Sequence, residues 1–359
     1  MPGDLEEKFE EVTGGGLYPV IGYGPLRREA ELTKFSVLTS NIPELTHALD
    51  VFKEVVGSDY NLGRFVPSEN LQNLVSENPH LFRLKDISVQ GTLAPTDVRN
   101  AASLFGPSYW PMRAFALVDI CGFSVLQPKD QLAHLLSLDN AVRSAIRRCR
   151  GICTGLGISP SFSRSSTGDG YYIWHEQPGI PADLGVFALL VAIMTQSEVM
   201  RAKGIFSMRL KGSFAIGEVF TFFDRLSPDS GHYAGQNAVG PVTNDLARLI
   251  AAARPSQILV QEFDRPGSLG NLTPANLVTR TTGLFTAENR GQCQLTFEPA
   301  SPSPPLRIQD KHGTFHHCWN LTGVVYNQFS QSEPPAAQRI GLKADPAADF
   351  GQYHFKGEV

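Results

Sequence analysis

The stretch ALVDICGFSVL, residues 116–126, sets one carboxylate, Asp119, into a run that otherwise predicts a buried β-strand. Burial of an unpaired carboxylate is costly, so such acids are normally paired, protonated or bound to a metal ion. Gly122 follows shortly after and predicts that the strand ends there in a turn. The rest of the sequence must show which of these three states applies to Asp119.

Composition narrows the class of protein. The 359 residues suffice for one large or two medium domains, and 42% hydrophobic with 18% charged residues is typical of a soluble globular protein. A net charge of −4 gives no support to nucleic-acid binding. Five cysteines without a disulfide pattern predict a reducing, cytoplasmic setting. The polar N-terminus predicts no signal peptide, and the apolar run 184–194 predicts a buried helix because it is too short for a membrane span.

Three regions are distinguished along the chain. Residues 1–108 are punctuated by glycine and proline, contain predicted helices at 42–57 and 67–82, and are expected to form a small regulatory or dimerising segment. Residues 109–325 alternate strands with helices and contain hairpins, which predicts an α/β or α+β fold rather than a pure β-barrel. Residues 326–359 are polar and proline-rich, which predicts a mobile tail. The further elements predicted within the middle region are helices near 129–150, 182–203 and 240–255 and strands near 206–224 and 256–263.

A second carboxylate stands in a comparable position. STGDGYYI, residues 166–173, predicts a hairpin in which Asp169 occupies a Gly-Asp-Gly turn. Taken alone, this pattern predicts only a turn. Two carboxylates at strand tips beside glycines, however, match the preference of Mg²⁺ for carboxylate and phosphate oxygens. Two such ions can activate an attacking oxygen and stabilise a leaving one.

Five segments in a fixed order resemble the catalytic domain of the class III nucleotidyl cyclases. They are the two segments above, followed by AIGEVF (215–220), GPVTNDLARL (240–249) and SQILV (256–260), and the resemblance covers roughly 110–325. It implies an α+β fold, an α/β sandwich with a ferredoxin-like βαββαβ core of the polymerase-palm type. It also implies a homodimer, because in this family the metal-binding acids of one protomer face the asparagine and arginine of the other.

The resemblance assigns roles to individual residues. Asp119 and Asp169 would be the carboxylate ligands of two divalent cations, Mg²⁺ or Mn²⁺, with the carbonyl of Ile120 as a further ligand. Asn244 and Arg248 would position the ribose and stabilise charge on the α-phosphate during cyclisation. Because all four side chains are present, an enzyme is favoured over a catalytically silent nucleotide-binding module, which usually lacks one of them.

The triphosphate would be held by the backbone amides of a turn and by basic side chains. Three consecutive backbone amides would form a short anion-binding nest, those of Gly122, Phe123 and Ser124. In DKHGTFHHCWNL (310–321), Asp310 falls on the lysine that the family uses for the triphosphate, and Lys311, one residue along, is the candidate replacement. Lys211 matches a basic position ahead of AIGEVF and is equally consistent with an exposed surface lysine.

The base-reading positions match neither purine code of the family. Adenine is read there by a lysine and an aspartate, and guanine commonly by a glutamate and a cysteine. Ser165, with Arg164 beside it, and Asn237 occupy these positions, and a neutral amide can pair with uracil or cytosine. The departure resembles the bacterial pyrimidine cyclases of the Pycsar anti-phage systems. It implies conversion of UTP to 3',5'-cyclic UMP and pyrophosphate, with a cytidylate cyclase or an unusual purine cyclase, such as an adenylate cyclase, as open alternatives.

Overall fold

The chain divides into two compact units. The computed structural model describes residues 2–14, 17–56, 64–204, 209–224, 235–268, 270–289, 293–298, 305–310, 312–327 and 336–340. The first unit consists of Met1–Pro111 and Glu218–Val239, and the second of Met112–Gly217 and Gly240–Val359. The first boundary lies close to the one predicted at 108/109, whereas the sequence gives no sign that 218–239 belongs to the first unit.

The first unit has a sheet and hydrophobic clusters of its own. Its N-terminal part comprises α1 (Pro2–Thr13), β1 (Val20–Tyr23), β2 (Arg27–Glu29), β3 (Leu32–Thr39), α2 (Leu45–Val56), β4 (Arg64–Phe65), α3 (Ser68–Glu77), β5 (Arg83–Gln90) and α4 (Pro95–Leu104). β3 pairs antiparallel with β1, β2 and β5, and β1 pairs in parallel with β4. Phe9 and Phe52 are buried in two separate hydrophobic clusters of this unit. The predicted helices at 42–57 and 67–82 are confirmed as α2 and α3.

The remaining elements follow in chain order. They are β6 (Ser108–Ile120), α5 (Pro128–Arg148), α6 (Arg150–Gly155), β7 (Phe162–Ser166), β8 (Gly170–His175), α7 (Ile180–Ala202), β9 (Leu210–Asp224), β10 (Gly235–Val239), α8 (Pro241–Ala252), β11 (Ile258–Gln261), α9 (Pro274–Asn289), β12 (Cys293–Glu298), β13 (Leu306–Gln309), β14 (Phe315–Asn327) and β15 (Ala336–Ile340). Each helix and strand predicted between 109 and 263 has its counterpart among them.

The order of the strands identifies the core. β6, the α5–α6 helices, β7, β8, α7 and β9 follow one another as βαββαβ, and they lie in the sheet in the order β9-β6-β8-β7. This fourth–first–third–second arrangement is that of a ferredoxin-like split βαβ motif. β11, β14 and β12 extend the same sheet beyond β9. The predicted α+β fold with a βαββαβ core is confirmed.

The two faces of β6 differ in what covers them. Ala116 and Val118 belong to the same hydrophobic cluster as Leu138 of α5 and Phe187 of α7. Because side chains alternate across a strand, Asp119 projects from the opposite face. The helical layer therefore supports the strand from behind, and the carboxylate stands on the other side.

Helix α7 is long and strongly apolar. It is long and apolar enough to cross a membrane by length and composition alone, but 83% of its most apolar window is buried inside the protein. Nearly every residue from Ala182 to Met194 is part of the core. The predicted buried helix over 184–194 is confirmed, within a helix longer than the apolar run itself.

Part of the C-terminal segment 326–359 is a strand. Ala336–Ile340 forms β15 and pairs antiparallel with β14. Apart from Tyr326 and Asn327, which end β14, the rest of that segment lies outside the described residues.

A buried ion pair joins α7 to the loop after β11. Oδ1 of Asp183 accepts a hydrogen bond of 3.0 Å from the amide of Ala114, and Oδ2 lies 2.8 Å from Nη1 of Arg265. The Asp183 side chain is 2% exposed, and burial raises the pKa of its carboxyl to about 7 against the opposing effect of Arg265. Removal of Arg265 would leave the buried Asp183 without its ion-pair partner and with only the weaker electrostatic effect of Arg113.

Replacement of Arg265 by methionine is therefore expected to lower the free energy of unfolding by about 3 kcal/mol or more, because Asp183 loses its counter-charge in the core. Urea denaturation followed by circular dichroism measures the difference. The matched control is Arg201→Met, which removes an arginine that is 41% exposed from its pair with Glu198 and should cost less than about 1 kcal/mol. Equal losses in the two variants would contradict the structural role given to the buried pair.

Candidate active site

The first acid of the site lies at the end of β6. Asp119 is the second-last residue of the strand and Ile120 the last, and Gly122 then turns the chain with φ 70° and ψ 21°. This left-handed conformation favours glycine, which explains why the strand ends here. A short 3-10 turn over Phe123–Val125 follows, with Gly122 and Ser124 exposed. The three predicted phosphate-binding amides thus belong to one accessible turn directly after the acid.

The second acid is brought to the first by the β7–β8 hairpin. β8 pairs antiparallel with β6, with Gly170 opposite Asp119, and the amide of Ile120 donates to the carbonyl of Asp169 at 3.1 Å. A side chain at position 170 would place its Cβ 2.0 Å from the carbonyl oxygen of Val118, so only glycine fits this close approach. The carboxyl group of Asp169 lies close enough to that of Asp119 to raise its pKa.

Lys211 of β9 completes the immediate surroundings of Asp119. Its Nζ lies 3.1 Å from Oδ2 of Asp119, and Asp119 is only 9% exposed. Burial raises the pKa of Asp119 to about 6; the hydrogen bond from Lys211 opposes this rise, and the neighbouring carboxyl of Asp169 adds to it. The structure therefore gives the buried carboxylate two partners, a lysine and a second acid.

The acid pair fits divalent cations of the Mg²⁺ or Mn²⁺ type. A bound cation would favour the ionised form of the Asp119 carboxyl, whose pKa burial and the neighbouring Asp169 raise. Among the residues that the structure describes, no group of three or more His, Cys, Asp or Glu side chains is arranged to hold a metal ion. Further ligands would thus be backbone, water and substrate oxygens, which is the donor set that Mg²⁺ prefers.

The two candidate base-reading residues on β7 point in opposite directions. Ser165 stands opposite Tyr172 of β8, and Tyr172 stands opposite Leu117 of β6. Paired residues share a face, so Ser165 lies on the face of the two acids. Arg164 lies on the other face, where its guanidinium forms an ion pair with Asp139 of α5. The structure brings Ser165, and not Arg164, to the side of the sheet that carries the acids.

Helix α8 packs on the same face. The hydroxyl of Tyr172 donates to the carbonyl of Thr243 at 3.1 Å, and that of Ser213 on β9 donates to the carbonyl of Leu246 at 3.2 Å. Gly240 precedes the helix, and its first residue is Pro241. Proline is favourable at the first position of a helix. These contacts fix the start of α8 against the strands that carry the acids.

Asn244 and Arg248 lie four residues apart on α8 and therefore share one side of the helix. Asn244 is exposed and Arg248 is half-buried. Asn237 belongs to the first unit, where it lies half-buried on β10 opposite Phe222 of β9. Lys311 lies outside the described residues.

Arg248 is part of a polar network that no local sequence pattern predicts. Nε of Arg248 lies 3.5 Å from Oδ2 of Asp310, the residue at the position of the family's lysine. The ring of His316 bridges Asp310 and Asp245, with Nε2 3.3 Å from Asp310 and Nδ1 3.1 Å from Asp245. Asp245 also accepts a hydrogen bond of 2.5 Å from the amide of Gln261. The only sign of this network in the sequence is that Asp310 replaces a lysine, and that replacement alone does not show that the acid contacts Arg248.

Comparisons with known proteins were made on sequence and on structure. No protein-family model matches the sequence, and no curated protein matches it. Similar solved structures include the guanylate cyclase domain of RhGC from Catenaria anguillulae in complex with GTP, with 14% identity over 60% of this chain and 97% of that one and a TM-score of 0.39. The adenylyl cyclase CyaB from P. aeruginosa has 11% identity over 64% of this chain and 99% of its own, with a TM-score of 0.34. Adenylate cyclases from Trypanosoma brucei have 14% identity over 59% and 89%, with a TM-score of 0.29.

Proposed function

We propose that the chain is a nucleotide cyclase that converts UTP to 3',5'-cyclic UMP and pyrophosphate. The observation that carries the proposal is that the β6–β8 pairing brings Asp119 and Asp169 together beside an exposed glycine turn. The α8 helix with Asn244 and Arg248 packs on the same face of the sheet. Acids for cations, amides for phosphates and an arginine for developing charge are the groups that phosphoryl chemistry needs.

The chain's own residues account for binding and charge. The exposed turn at Gly122 offers backbone amides to the triphosphate, as in other anion-binding nests. Lys211, 3.1 Å from Asp119, is close enough to the acids to donate to phosphate oxygens bound beside them. Divalent cations held by the two acids and the carbonyl of Ile120 would lower the pKa of the ribose 3'-hydroxyl and offset the charge on the phosphates.

The ribose and the reacting phosphate would be contacted from a partner protomer. In this proposal the chain forms a homodimer in which Asn244 of one copy orients the ribose over the acids of the other. Arg248, permanently charged and planar, stabilises the charge that develops on the α-phosphate as the 3'-hydroxyl attacks in line and pyrophosphate leaves. Each dimer then has two equivalent sites, because each copy supplies both halves.

The choice of a pyrimidine rests on Ser165 and Asn237. Ser165 lies on the face of the acids and cannot supply the positive charge with which a lysine at that position reads adenine. The amide of Asn237 can donate and accept, which suits the edge of uracil or cytosine. A cyclic pyrimidine nucleotide has no role as a building block, so we propose that it serves as a signal, as in the Pycsar anti-phage systems that the sequence resembles.

The test is incubation of the purified protein with ATP, GTP, CTP or UTP and Mn²⁺, with the products resolved by mass spectrometry. Cyclic UMP is the expected product. Cyclic CMP would support the assignment of a pyrimidine but show that the base is cytosine. Cyclic AMP would support the cyclase activity and contradict the role given to Ser165 and Asn237. The absence of product with all four nucleotides would favour the silent binding module.

A specificity switch makes the base assignment sharper. The double replacement Ser165→Lys with Asn237→Asp introduces the pair that reads adenine in the family, and it is expected to shift the ratio of ATP to UTP turnover by roughly 10- to 100-fold. Competition between the two nucleotides in one reaction measures the ratio. Arg164→Lys is the matched control, because Arg164 lies on the opposite face and pairs with Asp139. A ratio that the double replacement leaves unchanged would contradict the assignment.

A further inference from the structure

The carboxylate of Asp310 meets the one arginine to which the proposed function gives a catalytic role. We propose that Asp310 is a positioning residue, which orients the guanidinium of Arg248 toward the reacting phosphate. This inference rests on the proposed function. It departs from the resemblance, because the family has a lysine for the triphosphate at this position and the chain has an acid.

Asp310 is itself held in place. It follows β13, in the turn that leads into β14, and its Oδ1 accepts hydrogen bonds from the amides of His312 at 2.9 Å and Thr314 at 3.0 Å. Its side chain is 8% exposed. Burial alone would raise the pKa of this carboxyl, but the two amides and His316 outweigh it and hold the pKa below its usual range. Asp310 is thus a fixed negative charge.

The charge acts on the side of the guanidinium that catalysis does not need. Oδ2 of Asp310 faces Nε of Arg248 at 3.5 Å. A phosphate is normally bound through two nitrogens of the planar fork, and the contact at Nε leaves the two terminal nitrogens for it. Among the residues that the structure describes, no hydrogen bond or ion pair to these terminal nitrogens is present. Asp310 therefore orients the guanidinium of Arg248 and offsets part of its positive charge.

His316 and Asp245 support Asp310 from behind. The two ring nitrogens of His316 lie 3.3 Å from Asp310 and 3.1 Å from Asp245. Asp245 lies on α8, the helix that also bears Arg248. The network therefore ties the turn after β13 to α8 at two points, which fixes the distance between Asp310 and the backbone of the arginine.

The experiment combines single and double variants of the full chain in steady-state kinetics with UTP and Mn²⁺, or with whichever nucleoside triphosphate the wild type cyclises. Asp310→Asn keeps the oxygen that accepts the two turn amides and removes the charge. It is expected to lower kcat by roughly 10- to 100-fold, with KM changed by less than about threefold, since misorientation affects the transition state and not binding. In an Arg248→Ala background, the same replacement should have no further effect.

Two more variants complete the test. Asp310→Lys restores the family's residue but sets a cation against Arg248, so it should lower kcat at least as far as Asp310→Asn does. Glu198→Gln, which removes an acid from a surface pair with Arg201, should leave kcat unchanged. Thermal denaturation of each variant separates a loss of fold from a loss of orientation.

The outcomes separate the two proposals. A wild type that forms no cyclic nucleotide overturns the proposed function and this inference together. An active wild type overturns the inference alone if Asp310→Asn keeps full kcat, if it lowers kcat by the same factor with and without Arg248, or if Asp310→Lys raises kcat/KM. The last result would assign position 310 to triphosphate binding.

Discussion

Replacement of Asp119 by asparagine is expected to abolish cyclic nucleotide formation, with a loss in kcat of at least about 1,000-fold, or about 4 kcal/mol of transition-state stabilisation. The amide keeps the shape of the side chain but cannot supply the negative charge that holds a divalent cation. Asp169→Asn should have the same effect, because the two acids act as one pair. Product formation measured by mass spectrometry gives the rate, and Asp130→Asn, an exposed acid in the first turn of α5, is the control that should keep full activity.

The same replacement should stabilise the protein without metal. Burial holds the pKa of Asp119 near 6 in the folded chain, so between about pH 4 and pH 6 the folded state binds a proton that the unfolded state has lost. The free energy of unfolding therefore falls as the pH rises through this window, and the cost of the buried charge remains above it. Asp119→Asn lacks that cost, so its melting temperature should exceed that of the wild type at pH 8 and approach it at pH 4.

Divalent cations should reverse the order of the melting temperatures of the wild type and Asp119→Asn. Mn²⁺ is expected to raise the melting temperature of the wild type at pH 8, since a ligand that binds only the folded state stabilises it. Mn²⁺ should leave the melting temperature of Asp119→Asn unchanged. A wild-type melting temperature that does not respond to Mn²⁺, or an Asp119→Asn protein that retains turnover, would contradict the assignment of the acids to cation binding.

Local patterns predicted those parts of the site that a single stretch of chain determines. The strand with Asp119, the hairpin with Asp169 and the helix with Arg248 are each visible in hydrophobic periodicity and turn residues, whereas the βαββαβ core was implied by the resemblance to the cyclases. Which face a residue occupies required the register between strands. Arg164 and Ser165 are neighbours in sequence, and only the pairing of β7 with β8 shows that they project to opposite sides.

Contacts between distant segments could not be predicted in the same way. Lys211 was equally consistent with an exposed lysine until β9 was found to bring it within 3.1 Å of Asp119. Asp310 and Arg248 are separated by most of the C-terminal part of the chain, and no spacing rule links a turn after β13 to the middle of α8. The inclusion of 218–239 in the first unit is likewise a property of tertiary packing, which leaves no local mark in the sequence.

The second large effect is expected from mixing two strongly impaired proteins. Alone, Asp169→Ala should be inactive for lack of a cation ligand, and Arg248→Ala should retain only a low residual rate for lack of the charge on the α-phosphate. If each site combines the acids of one protomer with the arginine of the other, a hybrid dimer contains one site with both lesions and one site with neither. Random exchange of subunits makes half of the dimers hybrid, so activity should recover to about a quarter of the wild-type value per mass of protein.

The controls for this experiment come from the same geometry. A mixture of Asp119→Ala with Asp169→Ala should stay inactive, because both lesions fall in the half of the site that a single protomer supplies, and a mixture of Asn244→Ala with Arg248→Ala should stay at a low residual rate for the same reason. Subunit exchange is verified with differently tagged copies that are purified together. Recovery in the first mixture and not in the other two can arise only if the acids and the arginine of a working site come from different chains. Verified exchange without recovery would mean that Arg248 serves the acids of its own chain or serves none.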